Sequence, residues 1–133
     1  MGIKYSALML TEESRVKILQ TFRSAFSLVK CDHVTVNYPA KNDDEKHQNH
    51  FFTVFVVGYK IDTELGVECL VVEVNGRLTR PDGCLYHLTL SLDPTKNAKA
   101  VLSNEILSDH QYQKLNESFE ITTEFKLIKR INV

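Results

Sequence analysis

Two short segments combine a titratable ring with a hydroxyl two residues on: His33-Val34-Thr35 and His87-Leu88-Thr89. Each sits in an alternating run. In Asp32-His33-Val34-Thr35-Val36-Asn37-Tyr38, a strand would place Val34, Val36 and Tyr38 on one face and His33, Thr35 and Asn37 on the other. In Tyr86-His87-Leu88-Thr89-Leu90-Ser91-Leu92, the leucines share one face and His87, Thr89 and Ser91 the opposite one. Imidazole titrates near neutrality, so two of them can take a proton from a nucleophile and give one to a leaving group. The hydroxyls can donate to oxygens on which negative charge builds. A phosphodiester calls for this set, because nucleophile and phosphate are both electron-rich and the alkoxide leaves badly. Either histidine alone reads first as an ordinary half-buried strand residue. The repeated placement on two strands argues for chemistry.

The rest of the chain must position those strands. Residues 3–10 read as a first, central strand, apolar on both faces. Thr11 offers an N-cap with Glu12 and Glu13 in the first turn, and Val16, Ile18, Leu19, Phe22 and Phe26 at helical spacing predict a helix over 12–28. Pro39 ends the first motif strand. The polar run 40–49 predicts a solvated loop, and its His47 and His50 lack further ligands at fitting distances, so no metal site is expected. Residues 51–61 and 66–75 predict a hairpin, Asn75-Gly76 and Arg80-Pro81-Asp82-Gly83 predict turns, and Pro94 ends the second motif strand. A short helix over 97–107 and a last strand over 119–133 close the chain, giving an α+β domain spanning 1–133.

Composition narrows the partners. A chain of 133 residues can bury a core as one domain without disulfides or a structural metal. Cys31, Cys69 and Cys84 are odd in number and widely spaced, so they are expected to pack as small apolar side chains. With 16 Lys and Arg against 17 Asp and Glu, no broad basic face is available for long duplex nucleic acid. A small anion held by local groups is still allowed, and Arg77, Arg80, Lys96 and Lys99 flank the second motif. No apolar run is long enough for a bilayer and no secretory core follows the N-terminus, so the expectation is a cytoplasmic protein with no membrane partner.

The two His-x-Thr motifs resemble those of the two-histidine (2H) phosphoesterase superfamily. The Lys4-Tyr5-Ser6-Ala7-Leu8 strand, the Thr11-Glu12-Glu13-Ser14 helix start and the segment 94–107 resemble the cyclic phosphodiesterase domain of fungal-type transfer-RNA ligases and its phage and viral relatives. The resemblance implies a two-lobed, pseudo-symmetric fold of antiparallel sheets flanked by helices, with an active-site cleft between the lobes. It implies a phosphodiesterase without metal or other cofactor, with His33, Thr35, His87 and Thr89 as catalytic residues. Its substrate would be an RNA end carrying a 2′,3′-cyclic phosphate or a cyclic oligonucleotide messenger, and a viral member would act in the host cytoplasm. No obligate protein partner is implied. Around the quartet, Tyr5 is a candidate to stack on a base or else a core residue, and Arg77 or Arg80 could hold a phosphate or be solvated. The rival class is a nucleotide- or RNA-binding module of the same fold that does not cleave.

Overall fold

Runs rich in Val, Leu, Ile and Phe dominate the chain. The computed structural model, which describes residues 2–131, turns them into strands β1 (Gly2–Leu10), β2 (Leu28–Val29), β3 (His33–Asn37), β4 (Phe51–Asp62), β5 (Val67–Val74), β6 (His87–Leu92) and β7 (Gln113–Ile131). The α-helices α1 (Glu12–Thr21) and α2 (Leu102–Ile106) accompany them. All strand pairs are antiparallel, in the order β2-β6-β3-β1-β7-β4-β5, and β5 pairs back onto β6. The sheet therefore closes into a barrel, which leaves no long edge exposed. The α+β class and the antiparallel pairing expected from sequence are present as this one closed sheet. No helix among the described residues is long and apolar enough to cross a membrane.

The inner wall holds the main core, where Leu8, Val34, Val56, Leu70, Leu88 and Phe125 meet Ile18 of α1. A second cluster lies outside the β5–β6 wall, where Val67, Cys69 and Val71 pack under Ile106 and Leu107. Covering on both faces explains why β5 is buried along almost its whole length. Cys31 and Cys69 are buried, as expected of small apolar side chains, and burial pushes their thiols up to about 11 and about 12. Cys84 is partly exposed, and all three are unbridged.

Several boundaries differ from the sequence reading, each for a local reason. Thr11 caps α1 by accepting from the Ser14 N–H, but the helix stops at Thr21 instead of running to 28. The amides that would have continued it are claimed by buried side chains, Ala25 N–H by Glu68 (2.9 Å) and Phe26 N–H by Ser91 (3.2 Å). Leu28 and Val29 are then free to pair with β6 as β2, a strand the sequence did not announce. The run 40–49 is largely exposed, as expected, but it is not an irregular loop. It folds into a 3₁₀ turn over Asn42–His47, fastened by the buried Asp44 carboxylate, which accepts from Lys41 N–H and the Asn37 side-chain amide. The last helix narrows to Leu102–Ile106, whereas the last strand lengthens to begin at Gln113.

The largest correction lies within β6. The β5–β6 register shifts between Glu68 and Cys69, pairing Cys69 with Thr89 but Glu68 with Ser91. Leu90 is the extra residue of this bulge, so the alternation slips by one. Ser91 turns inward to Glu68, and Leu92 turns outward to the second cluster. Only His87 and Thr89 keep the outer face.

Candidate active site

The site follows from one pairing. Val34 of β3 lies opposite Leu88 of β6, and both are fully buried in the barrel core. Residues flanking an inward strand residue must project outward. His33, Thr35, His87 and Thr89 therefore share the outer face of two neighbouring strands, and all four line one groove of about 850 Å³. Tyr5 and Arg80, both candidates from sequence, line it too. Arg77 does not. It is exposed in the turn that bridges back to Val74, since the Asn75-Gly76 turn carries it away from the second motif.

Each ring is fixed differently. His87 is 8% exposed, and its Nδ1 lies 2.8 Å from the Leu85 carbonyl. A carbonyl can only accept, so the proton sits on Nδ1 and Nε2 is the nitrogen left for a ligand. Burial lowers the His87 pKa; the bond to Leu85 opposes this, while the charges of Arg80 and His33 add to it. Burial also lowers the His33 pKa, with the Asp32 carboxylate opposing and Lys30 adding. His33 stands 5.8 Å from the Tyr5 ring, centroid to centroid. The Thr89 hydroxyl is held 2.8 Å from that of Ser103 on α2, itself fully buried.

The walls supply charge and flat apolar surface. Among the described residues, Lys30, Arg80, Lys99 and Lys129 line the groove against a single carboxylate, Asp32. Arg80 is clamped by Asp82 through Nε (3.1 Å) and Nη2 (2.6 Å). Burial works against the Arg80 charge, but Asp82 outweighs it and the net shift is upward. The same hydrogen bonds hold Asp82 down at about 2. The clamp keeps a guanidinium beside His87. On the other side Tyr5 lies 5.8 Å from Tyr38. Asn104 of α2 also lines the groove, and its side-chain oxygen is buried with no hydrogen-bond partner. A buried acceptor left unmet costs about 1–3 kcal/mol.

Lys30, Tyr38, Asn104 and Lys129 were not singled out by sequence reasoning. They come from the β2–β3 link, the chain just after β3, α2 and β7, which the sheet order β6-β3-β1-β7 and the packing of α2 beside β5 bring to one groove. Asn104 carried no sequence signal. Lys30 did carry one, adjacency to the first motif, whereas Tyr38 was expected on the inner face with Val34 and Val36: the β1–β3 register shift, which pairs Ala7 with Thr35 but Ser6 with Asn37, turns it to the groove instead. His47 and His50 lie elsewhere, with His47 packed against Phe52 and Phe125. Among the described residues, no group of three or more His, Cys, Asp or Glu side chains could hold a metal ion.

No protein-family model matches this chain, and no curated protein matches it. The groove itself offers two imidazoles, two hydroxyls and an excess of cations around one opening. Such a set can move protons in both directions beside a bound anion.

Proposed function

We propose that the protein is a metal-independent phosphodiesterase of the two-histidine type, acting on ribonucleotide phosphodiesters. The observation that carries this reading is the presence of both motif histidines in one groove with four cations around it. In the reaction, one ring removes a proton from water or a ribose 2′-hydroxyl as the new P–O bond forms. The other protonates the departing alkoxide as its P–O bond breaks. Thr35 and Thr89 donate to the non-bridging oxygens. Because the two rings provide both proton transfers, the step as written calls for no metal ion.

The two rings divide the roles by their neighbours. Burial and the charge of Arg80 favour a neutral His87, and the proton held on Nδ1 by Leu85 leaves Nε2 as its basic nitrogen. Burial lowers His33 as well, but there the Asp32 carboxylate works against the neutral ring. His87 is thus the base and His33 the acid in the cleavage direction. In this reading β3 and β6 are the equivalent strands of two pseudo-symmetric halves, and the groove across them is the cleft of the two-lobed fold. The substrate is an RNA end with a 2′,3′-cyclic phosphate or a cyclic oligonucleotide.

The test is incubation with chelator present, using a short RNA with a 2′,3′-cyclic phosphate end and a panel of cyclic di- and trinucleotides, with His87→Ala alongside. Hydrolysis of either class that disappears in the variant is the expected result. No hydrolysis of any substrate, or hydrolysis unchanged in His87→Ala, would overturn the proposal, and binding without hydrolysis would identify a recognition module.

A further inference from the structure

The chemistry proposed above occupies only the floor of the groove, two rings and two hydroxyls around one phosphate. The opening is much larger. At about 850 Å³ it stands toward the upper end of the ~300–1,000 Å³ typical of small-molecule sites. Its cations are also spread out. Lys30 acts on His33 and Arg80 on His87, so each ring has its own cation. Lys99 precedes α2, whose Ser103 is bonded to Thr89 on β6, while Lys129 comes from β7. In the sheet order β6-β3-β1-β7, those two lysines rise from opposite sides of the motif strands. A single phosphate between the histidines does not need charge on every side.

An aromatic path leads away from the floor. The His33 and Tyr5 rings are 5.8 Å apart, and Tyr5 and Tyr38 are again 5.8 Å apart. Tyr5 is half-buried, whereas Tyr38 is 46% exposed at the end of β3. An exposed ring beside cations suits a flat heterocycle attached to a phosphate, because every base offers a π-face. Across the opening Val101, 65% exposed, adds an apolar lip.

Building on the phosphodiesterase reading, we infer that the groove takes a substrate of at least two nucleotides, and that Tyr38 is a specificity-determining residue that stacks the base of the nucleotide beyond the scissile phosphate. The second phosphate lies among the wall lysines. Tyr5 stays with the nucleotide at the reacting phosphate, packed against His33.

The test compares uridine 2′,3′-cyclic phosphate with the dinucleotide adenylyl-uridine 2′,3′-cyclic phosphate, in wild type, Tyr38→Ala and Tyr38→Phe. Wild type is expected to favour the dinucleotide in kcat/KM by about 5- to 150-fold, the range that one base–aromatic stack supports. Tyr38→Ala should collapse that preference, with a much smaller change on the mononucleotide, and Tyr38→Phe should retain it. Equal hydrolysis of both by wild type, or an equal loss on both in Tyr38→Ala, would overturn the inference and leave the phosphodiesterase standing. Equilibrium binding to His87→Ala separates the other failure. If neither compound is hydrolysed by wild type yet the dinucleotide binds more tightly and Tyr38→Ala abolishes the difference, the groove is as inferred and the catalytic reading is wrong.

Discussion

Two polar clusters lie on opposite faces of β6 and are built in opposite ways. On the inner face Glu68 is 1% exposed, and its carboxylate accepts from Ser91 Oγ (2.6 Å), Ala25 N–H (2.9 Å) and the Tyr59 hydroxyl (2.5 Å). Burial and the carboxylate push the Tyr59 hydroxyl pKa upward. This cluster ties β4, β5, β6 and the chain after α1 together. Its carboxyl group is met by three neutral donors. On the outer face His87 uses Nδ1 for Leu85 and keeps Nε2, in a groove where cations outnumber carboxylates. Burial of polar groups is common to both, so burial does not mark the site. What marks it is capacity left over: a nitrogen, hydroxyls and positive charge directed at an opening.

The sharpest way to break this contrast is to remove the rings. His87→Ala should lower kcat by about 10²- to 10⁴-fold while leaving the unfolding midpoint close to wild type. His33→Ala should lose as much on an alkyl phosphodiester, but should be rescued on uridine 3′-(4-nitrophenyl phosphate), whose leaving group needs no proton. Rescue of His87→Ala instead of His33→Ala would reverse the assigned roles. On the inner face Glu68→Ala should do the opposite, lowering stability by about 1–3 kcal/mol because three donors lose their acceptor. Urea unfolding measures this, and a change below about 0.5 kcal/mol would show that the cluster is not structural.

A smaller effect sharpens the electrostatics. Both rings are held below the ordinary histidine value of 6.5 by burial, with Asp32 opposing at His33 and Leu85 opposing at His87. At pH 7 the free protein therefore holds both largely neutral, and the protonated form of the proposed acid becomes more populated as pH falls. The profile of kcat/KM should be a bell with its maximum on the acid side of 6.5. A maximum at or above pH 7.5 would contradict the burial of the pair. The same shifts bear on stability. Below pH 6.5 the unfolded chain takes up protons that the folded rings resist, so stability declines from that value toward the folded pKa values and is fully present above it. Smallest of all, Ser103→Ala removes the bond that orients Thr89 and should lower kcat by only about 2- to 10-fold, the equivalent of one neutral hydrogen bond. A loss as large as that of His87→Ala would mean that α2 takes a direct part in the reaction.

The sequence by itself determined the elements whose signals are local. Period-two alternation marked β3 and β6, Thr11 marked the start of α1, and the Val-rich runs marked the β4–β5 hairpin, because side-chain alternation, capping and turn formation are decided within a few residues. It also picked out His33, Thr35, His87 and Thr89 as sharing outward faces, since Val34 and Leu88 had to be inside. Partnership was decided only by the tertiary structure. The bulge at Leu90 turned Ser91 inward because Glu68 of β5 offered it a buried acceptor, and the same carboxylate ended α1 early by capturing Ala25. Arg77 was excluded from the groove and Arg80 kept by one turn and one clamp. Lys129 reached the motifs because β7 pairs with β1 next to β3, and Tyr38 because the β1–β3 register shift around Val36 turned it to the groove side. These contacts join residues far apart in the chain, and nothing in the local pattern of either partner specifies the other.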